Sequence, residues 1–226
     1  MTTIHGFSSD RILPAFKAYN DRVHYVAISN ADRHPGLRYA ATIHHGIRLE
    51  DFPFDPRGSE DLLFFGRIHP DKGAAEAIAV ARRAGRRLVM AGIVQDQDYH
   101  NRHVVPALDE RSVVYRGPVG GTNRTNILGS ARALLHLINF DEPFGLSVVE
   151  ALACGTPVIA RNRGSMPELI EHGVTGFLVN TIDEAVDAIG RIGDIDRTAC
   201  RAAVAARFTV DRMADRYLGL YRSLLG

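Results

Sequence analysis

The sequence predicts an α/β protein with a parallel β-sheet that is covered by helices on both faces. Short apolar segments alternate with helical patterns along most of the chain, as in successive βα units. Most of these segments are apolar at nearly every position, which is typical of strands buried on both faces. The chain has 226 residues, of which 46% are hydrophobic, and it can therefore bury a sizeable core in one large domain or one and a half ordinary ones.

The apolar and periodic segments give the predicted order of elements. We predict strands at 61–66, 87–92, 112–116, 132–138, 156–160 and 176–179. We predict helices at 73–84, 99–109, 122–130, 145–154, 165–172 and 181–192, with two more between 195 and 225. A helix follows each strand, which is the order that the crossovers of a parallel sheet require.

The N-terminal part of the chain is organised differently. Strand patterns at 2–5 and 24–29 surround a helical pattern at 9–19, and a segment rich in Gly, Pro and Asp follows at 36–61. So few elements cannot close a core of their own, and we predict the incomplete end of one α/β domain attached to a complete second domain. The strands at 2–5 and 24–29 should then lack neighbouring strands and expose apolar edges.

The chain thus divides into four predicted parts. They are the end of an α/β domain (1–45), a crossover (46–60), a complete sheet domain (61–194) and C-terminal helices (195–226). No internal repeat or low-complexity segment interrupts this order.

Composition excludes several classes of function. The 27 basic and 26 acidic side chains nearly cancel, so no basic excess indicates binding to nucleic acid. The apolar segments are too short to span a bilayer, and residues 1–10 lack the pattern of a signal peptide. Two cysteines, Cys154 and Cys200, are too few for a disulfide framework. We therefore expect a cytoplasmic protein with no transmembrane segment.

The segment FFGRIHPDKG, residues 64–73, is the first candidate site. A predicted strand ends at Gly66, and Arg67 and Lys72 follow at its carboxyl end, where open α/β sheets bind ligands. An arginine fork and a lysine charge on one loop suit a diphosphate. Two solvated cations in an ordinary turn are an equally simple interpretation. Lysine is rare here, since only two of the 27 basic residues are lysines, and this favours a function for Lys72.

A second candidate site lies in NFDEPFGLSVVEALACGTPVIA, residues 139–160. Gly145 begins a predicted helix, whose first N–H groups form an anion site. Glu142 precedes this glycine, and Glu150 lies eight positions further along, about a turn and a half into the helix. The two carboxylates can contact different hydroxyl groups of one extended ligand, which indicates a sugar. Considered alone, the pair is better explained without a ligand, with Glu142 as a helix-start acid favoured by the dipole and Glu150 as an ordinary helical acid.

Longer motifs resemble the family-4 retaining glycosyltransferases. The chain carries EPFGLSVVEALACGTPVIA, RGSMPELI and GVTGFLV in the order and spacing of that family's nucleotide-sugar site. FGRIHPDKG and TIHHGIRLEDF resemble its upstream segments. The resemblance covers almost the whole chain. It implies the C-terminal half of a GT-B fold, with a Rossmann-like parallel sheet, attached to the end of the N-terminal domain.

The resemblance also implies roles for individual residues. Arg67 and Lys72 correspond to residues that hold the donor diphosphate, and Glu142 to one that meets the sugar hydroxyls. Glu150 corresponds to a residue that binds the ribose hydroxyls. The remaining donor-binding positions implied by the resemblance are Val119, Phe144, Gly145, Leu146 and Ser147.

Histidines and Cys154 are further residues that could carry chemistry. His5 ends TTIH, which resembles a strand end in the family's acceptor domain whose histidine points into the cleft; a surface histidine at a frayed terminus is the alternative. The implied catalytic residues are therefore His5, Glu142, Arg67 and Lys72. We assign no role to His44, His45 or Arg48. We expect surface or packing roles for His69, His100, His103, His136 and His172, and a core position for Cys154.

Two functions of different class follow from these expectations. The first is a hexosyltransferase-type enzyme that moves a sugar from a nucleotide diphosphate to an acceptor with retention of configuration. The second is a nucleotide-sugar-binding module that needs another chain for the missing acceptor half, supplied by a homo-oligomer or a second protein. A nucleotide-sugar epimerase fits the spacing of the two glutamates poorly. The resemblance implies that no metal is needed, because the two cations and the helix end neutralise the leaving diphosphate, and no His/Cys cluster has metal-ligand spacing. We expect no cofactor, since the nucleotide-diphosphate sugar is a donor substrate.

Overall fold

The computed structural model describes residues 1–6 and 9–226, and these residues form two parallel β-sheets. The smaller sheet contains β1 (Thr2–Ile4), β2 (Tyr25–Ala27) and β3 (Tyr39–Thr42), and helix α1 (Leu13–Ala18) follows β1. The prediction that the first two strands lack neighbours is wrong, because β1 pairs with β2 and β2 pairs with β3. The sequence interpretation assigned no strand to the residues of β3, because they lie in the segment 36–61, which is rich in turn-forming residues.

The larger sheet confirms the predicted fold class. Its strands are β4 (Leu62–Phe65), β5 (Leu88–Ala91), β6 (Val113–Tyr115), β7 (Ala133–His136), β8 (Val158–Arg161) and β9 (Gly176–Val179). Their spatial order is β6-β5-β4-β7-β8-β9, and all neighbours are parallel. Leu62 and Leu134, on the two central strands, are fully buried, as expected for a sheet with helices on both faces.

Helices connect and follow these strands. They are α2 (Ala74–Arg83), α3 (Gln97–Tyr99), α4 (Gly121–Ser130), α5 (Leu146–Ala153), α6 (Met166–Leu169), α7 (Ile182–Arg191), α8 (Arg197–Arg207) and α9 (Val210–Leu225). No helix in the part of the chain that the structure describes is both long and apolar enough to cross a membrane.

The helix predicted at 99–109 is irregular. It begins as α3, continues as a π-helical turn over His100–Val104, and ends as a 3-10 turn over Val105–Ala107. Pro106 lies in the last turn and has no backbone N–H, so a regular α-helix cannot continue through it. The predicted helix at 165–172 is also shorter, because Ile170 is already in an extended conformation.

Hydrogen bonds attach the smaller sheet to the larger unit just after β2. The Ser29 hydroxyl donates to the carbonyl oxygen of Pro143 over 2.6 Å. The backbone N–H groups of Asn30 and Ala31 each donate over 2.9 Å to the carboxylate of Glu168. These contacts place the carboxyl end of the smaller sheet beside the loop that precedes α5.

Candidate functional site

The larger sheet has a switch point between β4 and β7. Successive strands move outward from this pair in opposite directions, towards β6 on one side and β9 on the other. Ligands of open α/β sheets bind beyond the carboxyl ends of the strands at such a point. A cavity of about 200 Å³ lies there. Its walls include Phe65, Gly66, Arg67, Lys72, His136 and Ser147.

The two predicted cations both line this cavity, but their surroundings differ. Arg67 is exposed and donates from Nη1 to Oε1 of Gln95 over 2.5 Å. The Lys72 side chain is 13% exposed, and its Nζ lies 2.5 Å from Oε2 of Glu142. The same Nζ lies 4.5 Å from the centroid of the Phe140 ring. The cavity is thus lined by one exposed cation, Arg67, and by one largely buried cation, Lys72, that is paired with a carboxylate.

A tight turn fixes the position of Lys72. The 3-10 turn Pro70–Lys72 ends at Gly73, which has a φ of 73° and begins α2. A Cβ atom at Gly73 would lie 1.9 Å from the carbonyl oxygen of Leu137, so only glycine fits between the two backbones. This close approach brings the loop of Lys72 against the end of β7.

Glu142 lies at the centre of the charged groups. Its side chain is 15% exposed, and Nε2 of His136 lies 3.7 Å from its Oε2. Burial raises the pKa of the Glu142 carboxyl, but the neighbouring His136 and Lys72 outweigh burial and lower the pKa to about 2. Glu142 is therefore ionised at neutral pH and is available as a hydrogen-bond acceptor.

His136 lies at the cavity, which the sequence did not indicate. Its ring is buried, as a packing histidine would be, but it is at the carboxyl end of β7 and lines the cavity. Its Nε2 has no hydrogen-bond partner among the described residues. The sequence does place His136 near the end of a predicted strand. It does not show the order of the strands in the sheet, and this order is what brings that strand end to the switch point.

The start of α5 provides backbone donors beside the cavity. Gly145 precedes the helix with a φ of 98°, and a Cβ atom there would lie 2.8 Å from Cε of Met166. Within the described ranges, the backbone N–H groups of Gly145, Leu146 and Ser147 form no hydrogen bonds. Phe144 is buried before the turn. The predicted anion site at this helix N-terminus therefore has free donors, with Ser147 on the cavity wall.

Glu150 lies one turn beyond Ser147 on the same face of α5 and is 4% exposed. Its Oε1 forms an ion pair with the guanidinium of Arg124, which is on α4. Burial raises the pKa of Glu150, and the charge of Arg124 opposes this change. Sequence reasoning missed Arg124, since its partner lies in a different βα unit.

His5 and Val119 lie further from the cavity. His5 follows β1, and its ring stacks on that of His45 with centroids 5.1 Å apart. The His45 ring in turn lies 5.0 Å from that of Phe144. The His45 ring therefore lies between His5, at the end of a strand of the smaller sheet, and Phe144, in the loop that carries Glu142. Val119 is half-buried in the loop between β6 and α4, outside the cavity wall, and its contact with a nucleobase stays a prediction.

This arrangement suits an anionic ligand that also carries hydroxyl groups. Arg67, Lys72 and the N-terminus of α5 supply positive charge and donors. Glu142 and Glu150 supply acceptors on either side. Within residues 1–6 and 9–226, no group of three or more His, Cys, Asp or Glu side chains is placed to hold a metal ion.

Comparisons with known proteins agree with this fold. AviGT4, a glycosyltransferase involved in avilamycin A biosynthesis, superimposes with a TM-score of 0.77 and 28% identity over 89% of this chain and 64% of its own. Anabaena Alr3699/HepE in complex with UDP gives a TM-score of 0.84 at 21% identity, over 98% of this chain and 71% of that one, and this likeness shows the fold alone. The fold and its switch-point cleft define a protein of the GT-B glycosyltransferase class.

Sequence comparison gives the family within that class. The chain belongs to the group 1 glycosyl transferases, whose sequence profile matches residues 50–204. It is 32% identical over 209 residues to the D-inositol 3-phosphate glycosyltransferase of Mycobacterium leprae, covering 81% of this chain and 49% of that protein. It is 34% identical over 190 residues to the glycogen synthase of Mycobacterium tuberculosis, covering 76% and 44%. The chain thus spans about half the length of the curated relatives it matches.

Proposed function

We propose that the larger sheet binds a nucleotide-diphosphate sugar and that this sugar is transferred to an acceptor with retention of anomeric configuration. The observation that carries the proposal is the pairing of Glu142 with Lys72, which lines the switch-point cavity. A diphosphate attracts the lysine, and sugar hydroxyls satisfy the carboxylate, so one ligand can replace both halves of the pair. The identified family supports this class of donor.

In the proposed mechanism, electrostatic stabilisation of charge supplies most of the catalysis. Arg67, Lys72 and the free N–H groups at the start of α5 stabilise the charge that develops on the leaving diphosphate. Glu142 accepts hydrogen bonds from the sugar, and Glu150 accepts them from the ribose. Retention follows if the acceptor approaches on the face that the diphosphate leaves. His5 is proposed to face the reacting sugar from the smaller sheet.

The second candidate is a nucleotide-sugar-binding module that is inactive by itself. It is favoured by the length of the match, since the chain covers 49% of the inositol phosphate glycosyltransferase. Transfer requires the reacting groups to be held about 3–3.5 Å apart, and this needs an acceptor surface facing the cavity. We propose that a missing segment, another protein or a second copy of this chain supplies that surface. Sedimentation at high protein concentration tests whether a second copy of the chain supplies the acceptor surface. A strictly monomeric chain would contradict that possibility.

Calorimetry with UDP, GDP and ADP tests donor binding. We expect at least one of these nucleotides to bind in buffer that contains EDTA, because the proposed site neutralises the diphosphate with its own cations. Lys72→Met should weaken binding about tenfold or more, since a charge-assisted contact is worth roughly 1.5–3 kcal/mol. Lys17→Met, at the only other lysine and on exposed α1, is the matched control. No heat with any nucleotide at millimolar concentration would refute the proposal.

Retention needs a separate measurement. The acceptor half is supplied as a fusion or as a second chain, and the anomeric configuration of the product is read by NMR. We expect the configuration of the donor to be kept. Inversion would refute the mechanism while leaving donor binding intact. Transfer at an ordinary enzymatic rate by this chain alone would refute the binding-module candidate.

A further inference from the structure

The ion pair between Arg124 and Glu150 lies next to residues that line the switch-point cavity. Arg124 lies in the first turn of α4, and its guanidinium carbon is 5.9 Å from the centroid of the Phe65 ring. Phe65 lines the switch-point cavity. Ser147 also lines it, and Glu150 follows Ser147 by one helical turn. The pair therefore connects α4 to the face of α5 on which Ser147 lines the cavity.

Each partner keeps one polar atom free. Oε2 of Glu150 and Nε of Arg124 are both buried, and neither has a hydrogen-bond partner among the residues that the structure describes. The side chain of Glu150 is 5% exposed, whereas that of Arg124 is 38% exposed. A buried polar atom without a partner is costly, and Oε2 of Glu150 lies on a residue one helical turn from Ser147 of the cavity wall, so this oxygen is a candidate acceptor for a ligand hydroxyl.

Other charged or titratable groups near Glu150 do not replace Arg124. Cys154 lies one turn further along α5, and burial raises the pKa of its thiol to about 11, so it is neutral. Arg197 and Arg201, on α8, direct their guanidinium groups to backbone carbonyl oxygens, including those of residues 129 and 153. Arg124 is therefore the cation that contacts this carboxylate.

We propose that Arg124 is a positioning residue, which keeps the buried Glu150 carboxylate charged and holds Oε1 so that Oε2 accepts a hydrogen bond from a ribose hydroxyl of the donor. This inference rests on the proposed function, because it requires a nucleotide in the cavity. Arg124 acts through Glu150. Its guanidinium has no assigned contact with the phosphates, which Arg67 and Lys72 hold.

The physical reason is the cost of burying a lone charge. A buried carboxyl without an opposite charge has its pKa raised, because burial in a low dielectric disfavours the charged form. A protonated carboxyl is a poorer acceptor for a hydroxyl group than a carboxylate. Removing Arg124 should therefore make nucleotide binding depend on pH, with weak binding at low pH that recovers as the pH rises and Glu150 ionises.

The test is the pH dependence of nucleoside diphosphate binding by calorimetry, from pH 6 to 8.5. The variants are Arg124→Met, Arg124→Lys and Glu150→Gln, with Arg222→Met on exposed α9 as the matched control. Each Kd is divided by that of the unchanged protein at the same pH, which cancels the titration of the ligand. Inorganic pyrophosphate, which lacks the ribose, is the second probe. Thermal melting confirms that each variant is folded.

We expect Arg124→Met to weaken nucleotide binding about tenfold at pH 6 and no more than about threefold at pH 8.5. For Arg124→Lys, the Kd relative to that of the unchanged protein should not vary with pH. For Glu150→Gln, nucleotide binding should be weaker by a factor that does not change with pH. Pyrophosphate binding should stay within about twofold in all variants. A loss in Arg124→Met that is equal at every pH, or a loss for pyrophosphate, would overturn the inference alone. Absence of nucleotide binding by the unchanged protein would overturn the proposed function as well.

Discussion

Replacing Glu142 by Gln should destabilise the protein in a pH-dependent way. The pKa of this carboxyl lies at about 2, below its ordinary value of 4.5, because His136 and Lys72 outweigh the effect of burial. Each unit of this difference corresponds to about 1.36 kcal/mol of free energy. The ionised carboxylate therefore contributes about 3 kcal/mol to folding at neutral pH. Both Lys72 and Glu142 are largely buried, so solvent screens the pair only weakly.

The sign of the effect follows from the direction of the shift. The folded pKa is lowered, so the contribution is complete above pH 4.5 and is lost as the pH falls towards 2. Glutamine resembles the protonated acid, so Glu142→Gln should lower the free energy of unfolding by about 3 kcal/mol at pH 7. At pH 3 the difference between the variant and the unchanged protein should be about half as large.

Urea denaturation at pH 7, 4 and 3 measures this difference. Asp141→Asn is the matched control, since Asp141 is the neighbouring residue and pairs with Arg163 on the surface, where its side chain is 57% exposed. An exposed pair contributes only about 0–1 kcal/mol, so this control should be nearly neutral. If Glu142→Gln were as mild as Asp141→Asn, or if its effect did not decrease on acidification, the electrostatic argument would be wrong.

Two further predictions concern the ligand. Glu150→Ala should weaken binding of the bare nucleoside diphosphate by about 1–3 kcal/mol through lost ribose hydrogen bonds, whereas Glu142→Ala should affect only the sugar nucleotide. Equal losses for the bare diphosphate in calorimetry would contradict this division. His136→Phe removes the free Nε2 beside Glu142 and should raise the Kd of the sugar nucleotide about fivefold, while that of the diphosphate changes less than about twofold. A larger increase in Kd for the bare diphosphate than for the sugar nucleotide would indicate that His136 contacts the phosphates.

Much of the fold could be predicted because its signals are local. The strands β4 to β9 fall within or within one residue of the predicted segments, since each is a short apolar run bounded by turn residues. β3 was missed because YAAT is only partly buried and follows a Gly-containing segment. The prediction that β1 and β2 lack neighbours failed because the two strands pair directly with each other and β2 also pairs with the missed β3.

Individual residues of the site were predictable where their place in a motif determines their position. Arg67 and Lys72 follow a strand end, and both line the cavity. Glu142 precedes the turn at Gly145 and lies beside the same cavity. His136 and Arg124 were not found, because a buried histidine and an arginine in a helix have no distinctive local pattern.

The sequence by itself determined the fold class, the order of strands and helices in the larger sheet, and the loops that carry the candidate site residues. The tertiary structure alone decided which of those residues meet. Lys72 and Glu142 are 70 positions apart and lie in different βα units, and Arg124 and Glu150 belong to different helices. Periodicity and turn chemistry act over a few neighbouring residues, and so they are visible along the chain. The pairing of charges depends on which strands lie side by side, and the order β6-β5-β4-β7-β8-β9 sets that arrangement through packing across the whole sheet.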